Sequence, residues 1–279
     1  MINDIYDIYP KDQTDFYVQC FNFTKSQYEL RYIKFNVTSN QYESFDVPNA
    51  HSESIFDVNN YTDNSIHFIT SSQLETIDVE NKTITGIIPL YEKPTNPIKI
   101  SSDISIVEPS NIAVGINSDI FICDTKSQKI STHIPNAHSN SVLTLQYDPL
   151  NQLVLCSSGT DYSLKFWDIR KPDTCIGGVY ENTHWIWSCK YNKNYSNVLA
   201  TASSSSIVRN VIFNKLNEEE NKFDKNLKDY SFIDYCEFED SVYAVDWLAN
   251  DSWTFVAVSY NSFFHVNTIP EEIKYKIML

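Results

Sequence analysis

Residues 137–170 read AHSNSVLTLQYDPLNQLVLCSSGTDYSLKFWDIR. The stretch opens on Ala137-His138, passes through three short strand patterns with a turn-rich hairpin before the last, and closes on Trp167-Asp168. Weaker copies lie on both sides. Residues 66–79 give IHFITSS, a turn and LETIDV, and residues 111–125 give NIAVGINSDIFICDT, so that Asp78, Asp124 and Asp168 take one place in the pattern. They recur at roughly 45 residues, the period of four-stranded blades. The first strands of the later copies share a template: Val142-x-x-Leu145-x-Tyr147, Ile186-x-x-Cys189-x-Tyr191 and Val242-x-x-Val245-x-Trp247. Residues 184–213 and 240–268 are therefore two further copies.

The amino-terminal part is less regular. Strand-like alternation occupies 1–12, 16–23, 29–35 and 41–47, and Asn49-Ala50-His51 echoes Asn136-Ala137-His138. The strand at 1–12 is expected to help close the ring, and the tail KYKIML reads as another short strand. The expectation is an all-β, WD-repeat β-propeller: one closed ring over residues 1–279, six blades legible, with space for a seventh only among residues 1–65. Residues 214–240 break the period with nine acidic residues against four lysines and read as an acidic loop inserted between one blade and the next. With 5 Gly in the chain, Asn and Ser are expected to make the turns that Gly usually makes.

The resemblance of residues 137–170 to a WD repeat implies a hydrogen-bonded structural tetrad: His138 before the first strand, Ser157 or Ser158 on the second, Asp161 in the hairpin and Trp167 on the third. An imidazole, a hydroxyl, a carboxylate and an indole N–H supply matching donors and acceptors. In the third blade Asn117 and Cys123 stand at the Asp and Trp places. In the fifth, Ser205 and Val211 stand there while His184 remains. In the sixth, Phe238, Asn261 and Asn267 replace His, Asp and Trp.

The formal charge of −15, from 21 Lys+Arg against 36 Asp+Glu, repels phosphates and disfavours nucleic acid and anionic membranes while favouring basic partner segments. The 18 Tyr and 16 Phe beside 2 Met suit strands. No leader pattern and no apolar run of spanning length occurs, so a cytoplasmic protein that does not insert into membranes is expected. The six cysteines form no C-x-x-C pair and read as buried thiols, so neither metal nor cofactor is expected. No nucleophile elbow, phosphate loop or HExxH appears, and the His–Asp–Ser set is structural, so an enzyme is not expected.

Four blocks carry a more specific likeness: HWIWSCKYN (184–192), SVYAVDW (241–247), DSWTFVAVSYN (251–261) and IPEEIKYKIML (269–279). In this order, with FWDIR (166–170) before them, they resemble the EARP and GARP complex-interacting proteins. The good match covers roughly residues 105–279. The chain departs from that family at Phe238 and Asn261 and in a shorter amino-terminal half. The resemblance implies a non-enzymatic scaffold or adaptor, a monomeric propeller inside a larger assembly, whose partners are subunits of tethering complexes in endosomal recycling and endosome-to-Golgi retrograde traffic.

A generic WD-repeat scaffold and two more specific readings are the alternatives to the tethering adaptor. Trp167-Asp168-Ile169-Arg170 resembles the W-D-x-R motif of substrate receptors for cullin–RING ubiquitin ligases, with Arg170 as the contact. A peroxisomal targeting-signal receptor is also a WD propeller, but the tail and the His-Trp-x-Trp block favour the tethering family. Candidate partner contacts are Trp185, on the rim shared by loops before first strands and hairpins after second strands, Tyr243, intermediate between exposed and core, Asp246 beside Trp247, Arg170, and Glu218, Glu219 and Glu220 in the acidic loop. Trp185 either faces outward or folds onto a neighbouring loop. Asp246 pairs with a partner cation or makes a structural hydrogen bond. Trp187, Trp247 and Trp253 read as core.

Overall fold

The computed structural model describes residues 4–10, 15–22, 27–36, 39, 41–46, 55–62, 65–78, 81, 83–93, 95, 97–105, 107–213 and 230–278, with side chains at 39, 41 and 55–57 and, from 65 on, throughout those ranges. The chain divides into two compact units, Met1–Pro97 with Cys123–Ile130, and Ile98–Ile122 with Ser131–Leu279.

The first unit holds two four-stranded sheets. One joins β1 (Asp4–Pro10), β2 (Asp15–Asn22), β3 (Gln27–Asn36) and β4 (Gln41–Asp46) in chain order. The other joins β5 (Ile55–Thr62), β6 (Ser65–Thr70), β7 (Gln73–Asp78) and β8 (Thr83–Pro89). The expected ring-closing role of the first strand is corrected. β1 is the hairpin partner of β2, with Pro10 opposite Phe16, and forms one edge of its own sheet.

The third sheet runs β9 (Ile100–Ile104), β10 (Asn111–Ile116), β11 (Asp119–Asp124) and β12 (Lys129–Ile134). The fourth is β13 (Val142–Tyr147), β14 (Val154–Gly159), β15 (Leu164–Asp168) and β16 (Cys175–Val179). The fifth is β17 (Ile186–Tyr191), β18 (Val198–Ser203), β19 (Val208–Phe213) and β20 (Tyr230–Tyr235). The sixth has three strands, β21 (Val242–Trp247), β22 (Thr254–Ser259) and β23 (Phe264–Thr268), and a helix, α1 (Glu271–Met278), follows it. Among the described residues there are thus six blade-like sheets of successive strands. Asp78, Asp124 and Asp168 each end a third strand, as their spacing requires.

The shared first-strand template has a geometric cause. A plain strand would put positions 142 and 145 on opposite faces. β13 is bulged between Val142 and Thr144, β17 between Ile186 and Ser188, and β21 between Val242 and Ala244. One extra residue flips the phase, so each triplet points one way. Val142, Leu145 and Tyr147, Ile186, Cys189 and Tyr191, and Val242, Val245 and Trp247 are all buried. The triplets feed successive cores: one holding Ile120, Ile122 and Trp167, the next Phe166, Leu199 and Val211, the last Val208, Phe255 and Ile277.

Two further expectations are corrected. Within residues 214–240, residues 230–235 are β20, paired with β19 so that Phe213 faces Tyr230 and Arg209 faces Asp234. Arg209 binds Asp234 at two points, 2.6 and 2.8 Å, which pairs one of the acidic residues that made the segment read as loop. The insertion therefore falls within a blade, between its third and fourth strands, and residues 214–229 lie outside the described residues. The tail is helical: the Pro270 carbonyl accepts the Ile273 and Lys274 N–H groups, Glu271 and Glu272 sit in the first turn and Lys276 in the last. Ile273 and Ile277, four apart, put one face on the last core. No helix among the described residues is long and apolar enough to cross a membrane.

Candidate protein-interaction site

The fourth sheet carries a continuous polar chain. The Trp167 indole N–H donates to Ser157 Oγ (2.8 Å), Ser157 meets His138 Nε2 (2.8 Å), and His138 Nδ1 meets Asp161 Oδ1 (2.8 Å). Burial holds the His138 pKa below its usual value, so the ring is neutral. The hydrogens then fit one way: Nδ1–H donates to the carboxylate, and the Ser157 hydroxyl donates to Nε2. Burial works against the Asp161 charge, but bonds from His138, Ser163 and the Ser139 N–H hold its carboxyl well below the usual range. Lys165 Nζ, 3.6 Å from Asp161, donates to the Ala137 carbonyl. Ser157 is the hydroxyl of this set. Ser158, the adjacent candidate, points to the opposite face of the strand and donates to the Ile186 carbonyl at 2.9 Å, tying the fourth sheet to the fifth.

Register places the degraded copies. His138 lies four residues before Val142, and the residues four before Ile186 and Val242 are Asn182 and Phe238. His184, expected to remain in the fifth blade's network, is instead exposed and bonded to Thr183 Oγ1. Asn182 Oδ1 accepts from Arg209, the residue matching Lys165. Phe238 is buried against His265, ring centroids 4.5 Å apart. In the third sheet the hairpin is tighter: Asn117 takes a left-handed φ of 51°, and Asp119 serves as acceptor for Ser118 Oγ and Asn136 N.

Gly159 is a tell that the sequence reading missed. A Cβ there would sit 2.8 Å from His138 Nδ1 and 2.8 Å from the Ser141 carbonyl. At the matching places, where no imidazole lies, Ser203 and Ser259 stand, and their hydroxyls cap the hairpins through Ser205 and Asn261. As expected of a chain poor in glycine, Asn117, Asn136, Ser206 and Ser262 take left-handed turn positions, but so do Gln128 and Tyr162, the latter matching Ser206 and Ser262 in equivalent hairpins.

The loops before first strands and the hairpins after second strands do share one rim. The Thr160, Ser204 and Tyr260 N–H groups donate to the Ser141, Trp185 and Ser241 carbonyls, each at 2.9 Å. On this rim Trp185 is half-buried and meets Trp187 (centroids 5.5 Å), Trp187 meets Tyr243 (5.0 Å), and Tyr243 meets Tyr260 (5.9 Å). Tyr243 is 40% exposed and Tyr260 70%. Trp187, expected in the core, is half-buried in this ring chain, its indole N–H donated to Ser204 Oγ (2.7 Å) and its carbonyl accepting from Lys99 Nζ (3.1 Å). Trp247 is core, whereas Trp253 is half-buried against Tyr195. Tyr260 escaped the sequence reading, although it matches Thr160 in the hairpin register.

The remaining candidates scatter. Asp246 is exposed and accepts the Trp247 N–H (2.8 Å), the structural bond among its two alternatives. Arg170 folds back on Asp168 through two bonds, 2.9 and 2.6 Å, with its side chain 62% exposed. Glu218, Glu219 and Glu220 lie outside the described residues.

No family model matches the chain. The sequence is 36% identical over 188 residues to the EARP and GARP complex-interacting protein 1 of Rattus norvegicus, covering 61% of this chain and 49% of that protein. The Homo sapiens protein of that name is 34% identical over 175 residues, 56% of this chain and 45% of its own length. The WD repeat-containing protein DWA2 of Arabidopsis thaliana is 23% identical over 158 residues, 54% of this chain and 44% of that protein. The chain spans about half the length of the curated relatives it matches.

Proposed function

The chain is a relative of the EARP and GARP complex-interacting proteins, and from that premise we propose that it is a non-enzymatic adaptor that binds tethering complexes of the EARP and GARP type. In this reading it acts in the cytoplasm, in endosomal recycling and endosome-to-Golgi retrograde traffic, as a monomer within the larger assembly.

The kinship at 34–36% identity is the observation that carries the proposal. The site supports it in two ways. The His138–Ser157–Asp161 set is spent on internal hydrogen bonds between buried or nearly buried groups, which suits a scaffold better than a reaction centre. The rim offers half-exposed Trp and Tyr rings, the residue types enriched at interface hot spots.

Affinity purification of the tagged full chain from its native cell tests the reading. Tethering-complex subunits are expected in the eluate. Their absence, under conditions that keep those complexes intact, overturns it. Capture of a cullin–RING adaptor instead, lost in Arg170→Ala, would favour the substrate-receptor alternative.

A further inference from the structure

We infer that the rim formed by Trp185, Trp187, Tyr243 and Tyr260 is a platform that seats an arginine side chain of a partner segment. The inference rests on the adaptor reading and says what chemistry the partner presents.

The backbone frame of the rim does not ask for these rings. The position that is Tyr260 in the sixth sheet is Thr160 in the fourth and Ser204 in the fifth, and all three make the same 2.9 Å backbone bond. A phenol 70% exposed at that place adds no core. It extends a chain of rings already begun by Trp185, Trp187 and Tyr243, at centroid distances of 5.5, 5.0 and 5.9 Å. The platform is held in place from behind. Ser204 fixes the edge of the Trp187 indole, and the Ser241 carbonyl pins the Tyr260 backbone. Pre-set rings lose little freedom on binding.

Charge selects the occupant. Exposed Glu237 and Glu239, with Asp240, lead directly into Ser241 on this rim. The nearby cation, Lys99, already donates to the Trp187 carbonyl. An apolar partner would desolvate these carboxylates without pairing them, and a phosphate would be repelled. A guanidinium satisfies both features, stacking its plane on an aromatic face while its N–H groups reach a carboxylate. The protein uses this pairing internally: Arg209 lies 4.1 Å from the Phe232 ring centre while bonding Asp234 at two points.

Titration of the full chain with a capped tetra-arginine peptide, followed by calorimetry and tryptophan fluorescence, tests the inference. Saturable one-to-one binding is expected, with the neutral tetra-citrulline peptide at least about tenfold weaker and tetra-lysine intermediate. Tyr260→Thr places on the rim the residue type that the fourth sheet carries there, so folding is retained. That substitution should weaken tetra-arginine about threefold to tenfold, and Tyr260→Phe should not. Equal affinity in Tyr260→Thr, equal affinity for citrulline, or many weak sites spread over the acidic surface would each overturn the platform. Peptide binding without co-purified tethering subunits would sink the adaptor reading alone. Tethering subunits recovered in full without peptide binding would sink the platform alone.

Discussion

The fourth and sixth sheets are built on one backbone and locked by different chemistry. The hairpin bonds Thr160 N–Ser141 O and Tyr260 N–Ser241 O are both 2.9 Å, as are the turn bonds Asp148 N–Val154 O and Leu248 N–Thr254 O. Each first strand is bulged at the same place and buries the same triplet. Inside that frame the fourth sheet runs Trp167–Ser157–His138–Asp161, whereas the sixth has Asn267, Ala257, Phe238 and Asn261 at those positions. In the sixth, aromatic packing takes over: Phe238 on His265, and Trp247 on Phe255 with its indole N–H given to the Lys190 carbonyl (3.0 Å). Bulge and apolar triplet therefore suffice to make a blade, and the polar chain adds a second lock. The sixth sheet also carries exposed aromatic and apolar groups, among them Tyr260, Phe264 and Val266.

If the sixth sheet stands on packing, its core tryptophan carries the largest cost. Trp247→Ala should lower stability by about 4 kcal/mol, measured by urea unfolding. A loss under ~1 kcal/mol would show that the sixth sheet does not depend on its triplet.

Next is the polar lock. Asp161→Ala removes the charged acceptor of the buried His138 N–H, leaving Ser163 Oγ at 3.2 Å, and should cost about 3 kcal/mol, while Asn261→Ala, at the matching place, should cost about 1 kcal/mol or less. Equal costs would break the comparison. Gly159→Ser copies the sixth sheet's Ser259 into the fourth, where the new Cβ meets His138 and the Ser141 carbonyl. A loss of about 2 kcal/mol is expected. Pairing it with His138→Phe, as at Phe238, should recover part of that loss, and no recovery would mean that the two positions are not linked.

The smallest effect is in pH. Folding lowers the His138 pKa by burial. Below about pH 6.5 the unfolded chain takes up a proton that the folded state does not, so stability falls with acid until the folded pKa is passed. Asp161, held low, adds a contribution present above the unfolded carboxylate value and lost only in stronger acid, as pH falls through its folded pKa. His67, lowered to about 4 by burial, has the same sign as His138. Asp148, raised to about 6 by burial, has the opposite sign, gaining stability as pH falls toward 4. Both are common to parent and variant. Between pH 7 and 5, the urea midpoint of the parent should therefore fall further than that of His138→Gln. Parallel profiles would remove His138 from the account.

Much of this was legible in the residues. The period of the third-strand aspartates and the first-strand triplets located the blades, because a bulge and a buried face leave a fixed spacing. His138, Asp161 and Trp167 were legible from a single well-kept repeat, but the choice between Ser157 and Ser158 was not, since strand neighbours differ only in the face they take. His184 misled because a His near a first strand resembles the tetrad member, while register puts Asn182 there. β20 was hidden because Asp234 reads as a loop charge until Arg209 is seen opposite it. The tail read as a strand because Tyr275 and Ile277 alternate with lysines, although Ile273 and Ile277 fit a helical face equally well. Tyr260 could have been found by aligning hairpins as well as strands.

The most direct test of the division between a locking fourth sheet and a binding rim is quantitative affinity purification from the native cell. Three chains are compared: the parent, Trp185→Ala with Tyr260→Thr, and Arg170→Ala. The account predicts that recovery of tethering subunits drops for the rim pair at an unchanged melting temperature and stays at the parental level for Arg170→Ala. Full recovery by the rim pair, with loss confined to Arg170→Ala, would contradict it.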